Sequence, residues 1–200
     1  MIDMIDKSKV KIIPIPCPVV IIDDFYNNEE LELIMHELNF LTPEKLLPPE
    51  LTGAASDDDG RLKKENQGRF LDDLYTDRDV SNILRLNRKA FSPHIVNFLV
   101  GVHDLYLGYK YATKDNTLVS HYNDKNYYES HRDQSLFTTL SWFYNQPKPF
   151  TGGDLILTDY DKTIECKFNR MVFMYGSLKH EVTKVKGNGR YCISNFVSMQ

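Results

Sequence analysis

Tyr127-Tyr128-Glu129-Ser130-His131-Arg132-Asp133 is the stretch from which the rest of this 200-residue chain can be read. Side chains alternate along an extended segment, so His131 and Asp133 project to the same face. One further histidine, His180, follows them. Two neutral imidazoles and a carboxylate can occupy one face of an octahedral metal ion and leave three positions open, the ligand pattern of a non-haem Fe(II) centre. Taken alone, a His-x-Asp pair is short enough to arise by chance. Its context strengthens it: the pair occurs once, and a single histidine lies beyond it. The segment between Asp133 and His180 is also long enough for several strands, so a late strand can return beside the first.

Arg190 comes next, after the turn residues Gly187-Asn188-Gly189. A hairpin there is expected to bring Arg190 back beside the His180 strand. A guanidinium near a metal site suits a dicarboxylate, because its planar fork binds carboxylate through paired hydrogen bonds.

Around these residues the pattern is that of strands. From residue 102 the apolar positions run with period two, and Leu105, Leu107, Tyr109 and Tyr111 read as the inner face of a half-buried strand. Further strands are expected over 118–122, 136–144, 154–157, 163–167, 170–175, 180–185 and 191–197. Turn signals separate most of them: Asn145-Gln146-Pro147, Gly152-Gly153, residues 159–161 and Gly187-Asn188-Gly189. About eight short strands so punctuated predict a jelly roll or related barrel.

The first half reads as mainly helical. Val19-Val20-Ile21-Ile22-Asp23 is a buried strand after Pro14, Pro16 and Pro18. Asn27-Asn28-Glu29-Glu30 starts a helix with capping and acidic residues, and Leu31, Ile34, Met35 and Leu38 continue it at helical spacing. Pro43, Pro48 and Pro49 are expected to end it. Residues 50–68, with Asp57-Asp58-Asp59-Gly60, read as a mobile loop, either solvated or a lid over substrate. Phe70-Leu71 reads as a short strand. Thr76 to Asp79 resembles a capping box, and a helical stripe from Val80 to Leu99 is split at Ser92-Pro93.

Composition bounds the remaining possibilities. Two hundred residues suit one domain with a sizeable core. A net charge of −4 gives no drive toward nucleic acid or an anionic membrane, and no apolar run could span a bilayer. The first six residues lack the basic and apolar regions of a signal peptide. Three cysteines, widely spaced and without a Cys-x-x-Cys, point to a reducing cytoplasm rather than a disulfide framework. Twelve tyrosines and eleven phenylalanines favour a β-rich core.

Several segments in order resemble the 2-oxoglutarate- and Fe(II)-dependent dioxygenases, in particular their prolyl 4-hydroxylase branch. They are Tyr128-Glu129-Ser130-His131-Arg132-Asp133, Phe150-Thr151-Gly152-Gly153-Asp154-Leu155, His180-Glu181-Val182 and Arg190-Tyr191-Cys192-Ile193-Ser194. The resemblance covers residues 102–198, and the front part more loosely. It implies a mainly β fold with flanking helices (α+β), a double-stranded β-helix of the jelly-roll, cupin-like kind with N-terminal helices packed on one sheet. One domain, 1–200, is expected, with 1–101 as helical support carrying the 50–68 loop and 102–200 as the jelly-roll core.

The resemblance also implies residue roles. His131, Asp133 and His180 fall on the family's iron ligands, and Arg190 falls on the basic residue that holds the distal carboxylate of 2-oxoglutarate. Tyr122 corresponds to a tyrosine that hydrogen-bonds this co-substrate. The family's second tyrosine falls near Trp142, a departure from its pattern, and Tyr144 on the same strand face is the expected replacement. The implied cofactors are Fe(II), 2-oxoglutarate, O2 and accessory ascorbate. The implied reaction is hydroxylation of prolyl residues in a peptide or protein, with 2-oxoglutarate decarboxylated to succinate and CO2. The same chemistry on a free amino acid, another side chain or a nucleobase is the alternative, and a silent cupin-like binding module a minor one. No nucleic-acid or membrane partner is expected. His36, His94, His103 and His121 are read as structural or exposed, and Arg132 as facing either substrate or solvent.

Overall fold

Four consecutive apolar side chains, Val19 to Ile22, can all be buried only in a strand covered on both faces. In the computed structural model, which describes residues 5–41 and 45–199, this run is such a strand. In chain order the strands are β1 (Val10–Ile13), β2 (Val19–Ile22), β3 (Lys64–Glu65), β4 (Gln67–Phe70), β5 (Lys114–Tyr122), β6 (Tyr127–His131) and β7 (Phe137–Phe143). They continue with β8 (Phe150–Thr151), β9 (Leu155–Leu157), β10 (Lys162–Ile164), β11 (Met171–Tyr175), β12 (His180–Val182), β13 (Lys186–Gly187) and β14 (Arg190–Ser198). Antiparallel pairing builds a seven-stranded sheet, β1-β2-β11-β7-β14-β5-β4, and a five-stranded sheet, β10-β9-β12-β6-β3, while β13 and β8 form a separate ribbon.

Five helices accompany the sheets among the described residues: α1 (Asn28–Phe40), α2 (Leu71–Leu74), α3 (Asn82–Asn87), α4 (Pro93–Val102) and α5 (Leu107–Lys110). Ile34 and Leu38 of α1, Ile83 and Leu84 of α3, and Leu99 of α4 pack on Val20, Phe173 and Ile193 of the larger sheet. The opposite face of that sheet presents Val19, Ile21, Leu140 and Val172 to Leu155, Leu157 and Ile164 of the smaller one. The result is the expected mainly β jelly roll, with N-terminal helices on one sheet and a second core between the sheets.

The start of α1 follows its sequence. Asn27 accepts from the Glu30 amide at 2.9 Å, and the Glu30 carboxylate accepts from the Asn27 amide at 2.8 Å, a complete capping box. Of the prolines expected to end this helix, Pro43 lies outside the described residues, as does Met1–Met4 of the N-terminal reading. Pro93 occupies the first turn of α4, where its missing donor costs nothing.

Three local expectations are corrected. Residues 104–111 are not a strand: they form a 3-10 turn, Asp104–Tyr106, and then α5. His103 caps the turn by accepting from the Leu105 amide at 3.1 Å. The anchors are Tyr106 and Tyr109, three residues apart and buried. The Tyr106 hydroxyl donates toward the carbonyls of Pro18 and Phe173, and the Tyr109 hydroxyl to that of Ala90. Leu105, Leu107 and Tyr111, the supposed inner face, are exposed. Residues 76–79 lead only into a short 3-10 turn, and the helix behind them is capped by Ser81, whose Oγ accepts from the Leu84 amide. Finally, β14 does not fold back on β12. It crosses to the larger sheet and pairs with β5 and β7 along its length. The front half is also less helical than expected, since it contributes β1 to β4.

Candidate active site

His131 ends β6 and His180 opens β12, and the two are direct partners across those strands. Asp133 lies just beyond β6, where its amide donates to the Gly176 carbonyl at 2.9 Å. A Cβ at Gly176 would lie 2.1 Å from the Ser135 carbonyl oxygen, so this close chain approach requires glycine. The three side chains converge: His131 Nε2 is 3.7 Å from Asp133 Oδ1 and His180 Nε2 is 3.7 Å from Asp133 Oδ2. One donor atom from each lies within 4.8 Å of the other two, the only such group of His, Cys, Asp and Glu among the described residues.

The surroundings fix which atoms face inward. Nδ1 of His131 donates to the Glu129 carbonyl and Nδ1 of His180 to the Leu178 carbonyl, each at 2.8 Å. Both Nε2 lone pairs are thereby left for a metal, the usual arrangement for ligating histidines. Tyr128 stacks on His131 with ring centroids 3.5 Å apart and sets its plane. Thr138 Oγ1 donates to Asp133 Oδ2 at 2.6 Å. Losing such an orienting partner costs about ten- to hundredfold in metal affinity. Thr138→Val is expected to weaken Mn(II) or Fe(II) binding by that order in a direct titration, with the fold kept.

Burial, and next the proximity of His180, push the His131 imidazole down to about 3. An imidazole ordinarily titrates near ~6.5. Below that pH the unfolded chain takes up a proton that the folded chain refuses, so this contribution to stability is lost as pH falls. The metal-free protein is expected to melt at progressively lower temperature as pH drops from about 7 toward about 4. His131→Gln is expected to flatten that dependence. Identical slopes in the two proteins would contradict the neutral buried state.

The triad opens onto a narrow inner cavity between the sheets. Alternate residues of β5, β7 and β14 face it, including Tyr122, Trp142 and Arg190. Arg190 is paired in register with Tyr122, and its guanidinium carbon lies 4.4 Å from the centre of that ring. Arg190 Nε donates to the Gly153 carbonyl at 2.9 Å. Gly153 has φ +72°, and a Cβ there would sit 2.6 Å from Arg190 Cδ and Nε. Gly153 thus makes room for the arginine and supplies its acceptor. Arg190 enters the triad's cavity from the facing sheet, which replaces the expected hairpin.

Tyr144 is not brought into this cavity. Its ring packs edge-on against Phe150 and Phe168, and its hydroxyl accepts from the Phe168 amide at 2.8 Å. The expectation that Tyr144 replaces the second tyrosine is not met by its placement: it shares the inter-sheet core with Trp142, but Phe150 and Phe168 hold it outside the inner cavity.

A larger cavity of about 790 Å³ lies outside the first. Lys64, Leu118, Tyr128, Asp133 and Phe196 line both. Residues 50–68 form one wall. They are tied to β6 by the Ala55 amide donating to the Tyr128 hydroxyl at 3.0 Å and by Arg61 gripping both Glu129 oxygens at 2.9 and 2.8 Å. Asp57 to Gly60 is the tip of a hairpin bridged by Ser56 and Leu62. Lys64 is buried and donates to the Thr52 carbonyl at 2.8 Å, and burial lowers its ammonium pKa to about 8. Arg132 stands at the rim, paired with Asp159 at 3.0 Å.

Sequence reasoning missed Lys64, because it sits in the charged run Arg61 to Glu65 and reads as solvated. It also missed Thr138, whose role depends on the chain turn after Asp133. Among the other histidines, His121 stacks on Tyr191 on the outer face of β5, His103 caps a turn, His94 approaches Ser92 Oγ, and His36 is exposed.

A triad of two buried imidazoles and one half-buried carboxylate, between the sheets of a jelly roll, has the ligand pattern of the non-haem Fe(II) oxygenases. Residues 117–198 match the family model described as the 2OG-Fe(II) oxygenase superfamily. The matched segment takes in His131, Asp133, His180 and Arg190. No curated protein sequence matches the chain. Among solved structures it is similar to a prolyl hydroxylase from Trichoplax adhaerens in complex with a hypoxia inducible factor peptide fragment (TM-score 0.63, 16% identity, 90% of this chain and 83% of that one covered). It is also similar to a viral collagen prolyl hydroxylase from Paramecium Bursaria Chlorella virus-1 in complex with 2OG (TM-score 0.59, 12% identity, 91% and 96% covered). A third is a Pseudomonas putida prolyl-4-hydroxylase (TM-score 0.58, 16% identity, 92% and 94% covered). At these identities the likeness is one of fold.

Proposed function

We propose that the chain is a 2-oxoglutarate- and Fe(II)-dependent dioxygenase that hydroxylates prolyl residues in a peptide or protein, acting in the cytoplasm. The observation that carries this reading is the triad, with both Nε2 atoms free and its carboxylate at the junction of the two cavities. The donor set fits Fe(II): His131, Asp133 and His180 would hold the ion. Arg190 offers the inner cavity a buried guanidinium for the distal carboxylate of 2-oxoglutarate, with Tyr122 beneath it. Bound Fe(II), 2-oxoglutarate and O2 together supply the oxidant that places a hydroxyl on carbon, with succinate and CO2 released.

The chain's own residues do the positioning. Gly153 and Tyr122 hold the Arg190 fork in the inner cavity. Thr138 and Gly176 hold Asp133 toward both imidazoles, and Tyr128 keeps the His131 ring in plane. Leu118, Tyr128 and Phe196 line both cavities together with Lys64 and Asp133, and these residues form the neck between them. The outer cavity is larger than a free amino acid requires and suits a length of extended chain, with residues 50–68 as the wall or lid over it. The similar fold that holds a peptide supports the same view.

The test is direct. With Fe(II), 2-oxoglutarate and ascorbate to keep the iron ferrous, the protein is expected to release succinate. Proline-rich peptides are expected to gain one oxygen, located on proline by fragment mass spectrometry. Succinate release with no oxidised peptide would move the substrate to a free amino acid or another side chain. Absence of both succinate and oxidised peptide would remove the reading.

A further inference from the structure

Of the buried hydrogen-bond donors that lack a partner among the described residues, two line the inner cavity: Nη1 of Arg190 and Nε1 of Trp142. Both side chains are almost wholly buried, each 1% exposed, so bulk water does not satisfy them. A buried indole N–H ordinarily finds an acceptor, and two orphaned donors on one cavity mark a place where an acceptor is missing.

Register brings the two together. On β14, Arg190 and Cys192 share the inward face, and Cys192 is the direct partner of Trp142 on β7. Arg190 and Trp142 are therefore diagonal neighbours, about 7–8 Å apart along the backbone and within reach of each other's long side chains. Ser120 and Ser194 also line the cavity, but neither accepts from these two donors. Burial pushes the Cys192 thiol up to about 11, so it is neutral, and Leu140 and Leu155 are apolar. One cationic donor and one neutral donor, both left unpaired on the same cavity, complement a carboxylate.

Resting on the proposal that this cavity takes 2-oxoglutarate, we infer that Trp142 is a co-substrate-binding residue. Its Nε1–H and Arg190 Nη1 together hold the distal carboxylate, in the role for which Tyr144 was expected. The inference concerns a position where this chain departs from the tyrosine of its family.

Trp142 is the only tryptophan in the chain, which allows a single-atom test. Growth on benzothienylalanine replaces the indole N–H by sulfur at this position alone, with the ring retained. Anaerobic calorimetry on the Fe(II)-loaded protein compares 2-oxoglutarate with 2-oxopentanoate, which has the same oxo-acid end and no distal carboxylate. The sulfur protein is expected to bind 2-oxoglutarate on the order of tenfold more weakly and 2-oxopentanoate with unchanged affinity. Trp142→Phe is expected to lose the same preference and Trp142→Tyr to regain part of it. Emission of Trp142 in the native protein is expected to change when 2-oxoglutarate binds, which keeps the inference testable if a variant fails to fold.

Equal 2-oxoglutarate affinity in the native and sulfur proteins would overturn the inference. So would a parallel loss for both acids, which would show packing alone. If the native protein binds 2-oxoglutarate and Arg190→Ala weakens it while the sulfur protein matches native, only the role of Trp142 fails. A native protein that binds no 2-oxoglutarate would overturn the underlying reading as well.

Discussion

Asp133→Ala and His131→Ala are each expected to abolish 2-oxoglutarate turnover, with succinate formation reduced by more than the ten- to hundredfold that loss of a merely orienting partner costs. Asp133 is the single carboxylate of the triad, and it faces both imidazoles at 3.7 Å. Its removal leaves two neutral nitrogens for a dication and leaves the Thr138 hydroxyl with Ser135 Oγ alone. Among the described residues His131 and His180 are the imidazoles whose outer nitrogen is engaged by a carbonyl so that the inner one stays free. Neither change removes apolar core, so both variants are expected to remain folded by circular dichroism. Metal content after dialysis is the second readout and should fall with the activity. Thr138→Val should lie between native and Asp133→Ala. Near-native succinate release from both alanine variants would end the metal assignment.

The site was legible in the sequence to the extent that its chemistry is local. His131 and Asp133 sit two positions apart, so their shared direction follows from chain geometry. Val19 to Ile22 declared a doubly covered strand by composition, and Asn27 with Glu30 declared a helix start by spacing. What depended on distant partners was not legible. Arg190 lies just past a turn rich in glycine, and a hairpin was the nearest local solution. The chain instead passes through the short β13 ribbon, with positive φ at Gly187 and Gly189, before entering the larger sheet, an outcome set by β5 and β7. The alternation of Leu105 to Tyr111 pointed to a strand, and tertiary hydrogen bonds of Tyr106 and Tyr109 chose a helical turn. Lys64 has nothing in its neighbourhood that distinguishes it from a surface lysine. Its burial follows from the 50–68 segment docking on Tyr128 and Glu129, contacts between residues far apart in sequence. Trp142 was visible as a departure from the family, but the absence of any partner for its N–H could be seen only once the cavity was drawn.

Arg190→Ala is expected to weaken 2-oxoglutarate binding on the order of a hundredfold while leaving metal binding in place, since truncating a buried charge partner of a bound ligand typically costs several kcal/mol, about 2–5. Among the described residues the guanidinium is the only charged side chain of the inner cavity outside its neck and the triad, and its placement is fixed on two sides. Gly153 O accepts from Nε at 2.9 Å, and the Tyr122 ring lies beneath Cζ at 4.4 Å. Arg190→Lys keeps the charge and loses the planar fork, so it should fall between alanine and native. Gly153→Ala provides an independent route to the same defect. Its Cβ would stand 2.6 Å from Arg190 Cδ and Nε, at a φ of +72° that disfavours any side chain. The arginine must then shift, and 2-oxoglutarate affinity should drop even though the altered residue offers the ligand nothing. Anaerobic titration of the three variants measures this apart from turnover. If Arg190→Ala binds 2-oxoglutarate as tightly as the native chain, the carboxylate is held elsewhere, and the roles assigned to Gly153 and Tyr122 fall with it.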